Sequence, residues 1–162
     1  MPQHIEESIE VDVPIRAVYN QWTQFEEFPA FMEGVKSVQQ LSDKTLAWKA
    51  EIAGKEVEWT SEITQQEPDQ RIGWRSTGGS NNAGSASFVE LGPQKTRVTL
   101  RLTYQPDGGL ETAASMLGIV KMRVKGDVER FKKFIEARGF ETGGWRGEIH
   151  GEKVVKSMDA RS

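Results

Sequence analysis

The chain has no cysteine, so disulfides, thiolate metal sites and cysteine nucleophiles are excluded, and nothing requires an oxidising compartment. Histidine is almost as scarce. The only two, His4 and His150, lie near the ends, outside every segment that reads as core. A central histidine base, a Ser–His–Asp triad and a histidine-based metal site are therefore not expected. Long apolar runs are also missing, and 28% of the residues are charged, which argues against a membrane span. The opening stretch MPQHIEESIEVDV lacks the basic-then-apolar order of a secretory leader, so a cytoplasmic location is the expectation. No internal repeat or linker divides the sequence. The glycine-rich stretch from Gly78 to Asn82 joins two strand-like segments without the Gly-Lys-Ser/Thr ending of a phosphate loop, and no motif calls for a cofactor.

What is present is a core-forming sequence of 162 residues, 36% hydrophobic, with five tryptophans. That suits one domain of ordinary size. Ile5–Val13 alternates apolar and polar residues as a half-buried strand does. Pro14 then opens an amphipathic helix expected to reach Phe28, with Val18, Trp22 and Phe25 on one face. Phe28-Pro29 is expected to break it, and Pro29–Met32 to begin a shorter second helix before Gly34. Six further strands are predicted: Val35–Leu41, Thr45–Ile52, Lys55–Gln66, Arg71–Ser76, Gly84–Leu91 and Thr96–Tyr104. Their turn-like separators are short, which predicts an antiparallel meander. A long helix follows from Leu110 to Arg138, its apolar stripe including Leu117, Val124, Val128, Phe131 and Ile135. Residues 1–140 make up the domain. Residues 141–162 read as an extended or partly disordered tail, anchored by Trp145.

Alternation assigns one sheet face to Leu46, Trp48, Ala50, Ile52, Val57, Trp59, Ser61, Ile63, Ile72, Trp74, Ser76, Val98, Leu100, Leu102 and Tyr104. Lys49, Glu51, Glu56, Glu58, Glu62, Arg75, Arg97 and Arg101 take the other, wet face. The sixth strand is ambiguous, because Ala86-Phe88 and Val89-Leu91 cannot all point inward. Aromatic walls with a few hydroxyls suit a small-molecule site, and plain core filling is the competing account. The inward hydroxyls of Ser61, Ser76 and Tyr104 need partners from backbone, water or ligand.

Four stretches carry a resemblance: IEVDVPIRAVYNQWTQFEEFPAFMEGVKSV, EWTSEITQQEPDQRIGWRS, FVELGPQKTRVTLRLTYQPDGG and FKKFIEARGFETGGWRGEI. Together they resemble the polyketide cyclase/dehydrase and lipid-transport branch of the START-like (SRPBCC) superfamily. The resemblance implies an α+β helix-grip fold. A seven-stranded curved antiparallel sheet wraps a long C-terminal helix, with two short helices after strand 1 and a hydrophobic cavity between sheet and helix. No single stretch is a catalytic signature. Among polar groups of the kind cyclases use, only Tyr104 and Ser76 are inward equivalents, and neither matches a specific catalytic position.

The leading expectation is a carrier or sensor of a small hydrophobic or aromatic molecule. Its ligand-binding residues would be Phe31, Trp48, Trp59, Ser61, Trp74, Ser76, Phe88, Leu102, Tyr104 and Leu117. A polyketide cyclase or dehydratase, and a cavity-free protein-interaction module, are the alternatives. A homodimer stays open. Residues 1–70 hold 14 acidic against 5 basic groups, and residues 71–162 hold 10 against 16. Pairing between early acids and late bases is the simpler account of this asymmetry. The basic run along Lys121–Arg138 is interspersed with Asp127, Glu129 and Glu136 and reads as a solvated face, so neither nucleic acid nor membrane is expected as a partner.

Overall fold

Each strand owes its position to alternation, and each hairpin to the short polar break between two such runs. The computed structural model describes residues 3–52, 54–79, 82–104, 110–139, 141, 143–150 and 153–155, with backbone alone for 3, 52, 79, 104, 110–120, 153 and 155. Its strands are β1 (Gln3–Val11), β2 (Val35–Gln40), β3 (Thr45–Ile52), β4 (Lys55–Glu67), β5 (Arg71–Gly79), β6 (Asn82–Gly92) and β7 (Lys95–Tyr104). They pair antiparallel in the order β1-β7-β6-β5-β4-β3-β2. The meander is thus closed against β1, which lies along β7 with Ile5 opposite Leu102 and Ile9 opposite Val98. The expected helix α2 spans Leu110–Arg138. This is the helix-grip architecture: a curved seven-stranded path with one long C-terminal helix and short helices after β1.

The first helix differs from expectation. α1 (Ile15–Trp22) stops six residues early, and a separate 3-10 helix runs from Phe25 to Ala30 with Pro29 inside it. Thr23 ends α1, not Pro29. Its hydroxyl donates to the Asn20 carbonyl at 2.6 Å, and the Thr23 and Gln24 amides donate to Asn20 and Gln21 carbonyls. These i→i−3 bonds tighten the last turn and turn the chain out of the α path.

Alternation leaves two features of register open. A bulge between Ile63 and Gln65 shifts the β4–β5 pairing. Beyond it Gln66, not Gln65, is the residue turned inward and is 1% exposed. A bulge adds one residue to one strand and so reverses the faces after it. In β6 the ambiguity resolves with Ala86 and Phe88 buried and Val89 and Leu91 exposed. The two histidines do lie within strands, contrary to expectation. His4 is an exposed residue of β1 beside Thr103, and His150 an exposed residue of a short strand β8 (Glu148–His150).

β8 pairs with β4 through Gln65–His150 and Gln66–Ile149, and β9 (Lys153–Val155) pairs with β8. The described part of the tail is therefore extended chain added beside the bulged end of β4. Ile149 is fully buried there. Among the described residues no helix is long and apolar enough to cross a membrane.

Candidate functional site

The concave face is filled at one end and partly open at the other. Along β4 to β7, Ser61, Ile63, Ile72, Trp74, Ala86, Phe88, Val98 and Leu100 are buried. On the same strands Val57, Trp59, Ser76, Gly84 and Leu102 are only half-buried. The register puts these five at a single end, where β4 and β6 begin and β5 and β7 finish. Gly84 matters there. A Cβ at that position would lie 2.7 Å from the Trp74 ring and 2.8 Å from Leu102, so glycine lets both side chains close over the strand backbone.

Aromatic packing closes the filled end. Trp22 lies 5.3 Å from Phe28 and from Phe131, and Phe31 lies 5.1 Å from Phe131. Tyr19 meets Phe88 edge-on at 5.4 Å. Phe31 and Phe88 thus stand among rings, at 1% and 5% exposure. The network reaches the open end through Phe28, Trp48 and Trp59. Phe28 is 5.8 Å from Trp48, which stacks on Trp59 at 5.5 Å with 6° between the planes.

The hydroxyls find protein partners. Ser61 accepts the Trp48 indole N–H at 2.8 Å, a side-chain partner that alternation does not announce. Ser76 accepts the Asn82 amide at 3.1 Å. The Trp59 indole N–H is buried and, among the described residues, has no hydrogen-bond partner. The side chains of Tyr104 and Leu117 lie outside the described residues. Among the described residues no cluster of three or more acidic or histidine groups could hold a metal.

A polar latch ties α2 to the Phe31–Gly34 segment. Arg123 donates to the carbonyls of Glu33 (3.0 Å) and Glu51 (3.2 Å), and Arg130 donates to that of Phe31 (3.0 Å). Asp127, 8% exposed, accepts the Glu33 amide at 3.1 Å and an Arg130 N–H. Burial pushes its carboxyl up from 3.8 to about 6, against the opposing pull of Arg130 and the Glu33 amide.

A second polar group holds the tail. Arg146 pairs with Asp69 at 2.8 Å, donates to the Asn20 amide oxygen at 2.7 Å and lies over the Tyr19 ring at 5.4 Å. The Trp145 amide donates to Thr23. Burial raises the Tyr19 hydroxyl above its ordinary value. Helical periodicity would put Asn20 and Gln21 in water, yet both are buried. Such residues could not be found from the 3.6-residue pattern, because the far side of α1 is covered by chain more than a hundred residues away.

A family model for polyketide cyclase / dehydrase and lipid transport matches residues 11–134, which hold the first six hairpin-linked strands after β1 and most of α2. The chain belongs to this family. An uncharacterized 17.2 kDa protein of Streptomyces lincolnensis, from the melC2–rnhH intergenic region, is 49% identical over 146 residues, covering 90% of this chain and 97% of that one. Two solved structures share the fold. A START superfamily protein from Mycobacterium smegmatis has a TM-score of 0.65 and 19% identity, covering 83% of this chain and 95% of its own. The Zhui aromatase/cyclase of Streptomyces sp. R1128 has a TM-score of 0.69 and 14% identity, covering 86% and 94%. Membership in the polyketide cyclase / dehydrase and lipid transport family agrees with the helix-grip architecture as a ligand-binding fold.

Proposed function

We propose that the chain binds or carries a small hydrophobic or aromatic molecule between the concave sheet and α2. The observation that carries this reading is the change in burial along one face. The same strands that are sealed at the Phe88 end leave Trp59, Ser76 and Leu102 half-buried at the other. Complete burial serves stability, whereas a half-buried apolar wall with a few polar groups suits a ligand. Trp48, Trp59, Ser61, Trp74, Ser76 and Leu102 form the wall, with Phe31 and Phe88 as its floor and Tyr104 and Leu117 as sequence candidates. Mass spectrometry of small molecules released from natively purified protein tests this. A stoichiometric apolar species, absent from Trp59→Ala and Trp74→Ala preparations, is expected. Undiminished occupancy in both variants would place the site elsewhere.

The family description and the aromatase/cyclase fold neighbour support a second reading, an enzyme that folds a reactive chain against this wall. A folded Tyr104→Phe protein that had lost turnover would select it.

A further inference from the structure

The tryptophan donors of the interior are not equivalent. An indole N–H donates and cannot accept, so only an acceptor satisfies it. That of Trp48 has the Ser61 hydroxyl. That of Trp22 has no hydrogen-bond partner among the described residues, but its ring stands among Phe28, Phe31, Phe88 and Phe131, whose π faces are weak acceptors. Among the described residues Trp59 has neither solution. Its ring is stacked at 6° on Trp48, so its in-plane N–H runs parallel to that ring and cannot point into it. Its cross-strand partner on β5 is Gly79, which brings no side chain. The N–H is sealed, while the residue as a whole is half-buried at the open end. An unpaired buried donor is costly, and that cost is recovered by whichever molecule brings it an acceptor.

Resting on the ligand reading above, we infer that the Trp59 indole N–H is the polar recognition point of this site, and that its ligand is a flat apolar molecule carrying a neutral oxygen acceptor. The flat shape follows from the stacked Trp48–Trp59 shelf, which favours an offset aromatic frame. Neutrality follows from the surroundings. Among the described residues, the inward ones at this end are Val57, Trp59, Ser76, Gly84 and Leu102, and none is charged. A carboxylate would lose its hydration there without a cation to replace it. A carbonyl or ether oxygen loses far less. Because the donor is covered in the ligand-free chain, the acceptor reaches it by displacing its cover.

Three probes with one ring frame separate the possibilities: fluorene, 9-fluorenone and fluorene-9-carboxylate, each measured by equilibrium dialysis against native protein and Trp59→Phe. Fluorenone is expected to bind the native protein in preference to the carboxylate. The ratio of fluorenone to fluorene affinity should fall about tenfold in Trp59→Phe, the size of one lost hydrogen bond, over and above any loss of ring stacking that both probes share. In unmutated protein labelled with nitrogen-15, the Trp59 indole cross-peak should move downfield with fluorenone and not with fluorene. That readout holds even if Trp59→Phe fails to fold. An unchanged ratio, an unmoved cross-peak or tightest binding of the carboxylate overturns the inference while leaving a ligand site in place. Binding of none of the three overturns the ligand reading, and the inference with it.

Discussion

At the scale of single residues, Gly34 and Asp127 show what the latch requires. Gly34 has φ +92°, and a Cβ there would collide with the Arg123 guanidinium that reaches past it to two carbonyls. Gly34→Ala is expected to lose about 1–3 kcal/mol, the cost of a side chain in a left-handed conformation held in place. Urea unfolding should show a lower midpoint at unchanged slope. Adding Arg123→Ala removes the collision, so the double variant should lose less than the two single losses combined. Strict additivity would mean the guanidinium does not depend on the missing Cβ. Asp127 supplies a pH test. Its carboxyl titrates near 6 rather than 3.8, so between those values the folded chain holds a proton that the unfolded chain has released. Stability from this group therefore falls as pH rises from about 4 to about 6, then stays level, a loss of up to about 3 kcal/mol. Asp127→Asn does not titrate and keeps an acceptor for the Glu33 amide. Its stability relative to the native protein should rise across that window and nowhere else. A difference that stays flat from pH 4 to 6 would show that Arg130 outweighs burial.

At the scale of elements, the tail is the part whose role can be measured apart from the rest. Arg146 joins three partners from α1 and the β4–β5 turn, and among the described residues β8 pairs only with the bulged end of β4 and with β9. Arg146→Ala should remove about 1–3 kcal/mol, as expected for charge-assisted bonds between half-buried groups. Hydrogen exchange should quicken at Gln65, Gln66 and Ile149 and stay slow along the β1–β7 ladder. Equal acceleration in both places would make the tail part of the global unfolding unit rather than a local one. The elements also show what could be read in advance. The seven main strands and α2 were legible because alternation and the helical stripe come from burial against one core. The end of α1 was not. Proline is the louder stop signal, but Thr23 acts first through a bond to Asn20 that no spacing announces. Nor was Gln66 legible, since a bulge reverses the faces without changing composition. The candidate wall was readable as residue types on one face. Its division into filled and open ends depends on which rings α1 and α2 bring across, and that is long-range information.

At the scale of the whole molecule, the charge asymmetry of the sequence is used in folding. Glu10 meets Lys95 and Arg97, Glu6 meets Arg101, Glu33 meets Arg130 and Asp69 meets Arg146. Early acids thus lie against late bases, and the exposed pairs add little stability. What distinguishes the two ends of the sheet is packing, and enlargement of one residue at each end exposes the difference. Ala86 is fully buried at the filled end. Ala86→Leu there should cost about 1–3 kcal/mol, because a close-packed core must shift to admit added methylenes. Leu102 is half-buried at the open end, and Leu102→Phe should cost less than about 1.5 kcal/mol. The order reverses for binding. Leu102→Phe should weaken a neutral fluorescent probe such as 1-aminoanthracene roughly tenfold, the effect of small misfits in apolar pockets, and Ala86→Leu should leave the affinity of the folded fraction unchanged. Thermal melts and fluorescence titrations of the two variants give the four values. If Leu102→Phe destabilises as much as Ala86→Leu and leaves the probe bound, the two ends are equally packed and the burial gradient has no bearing on ligand.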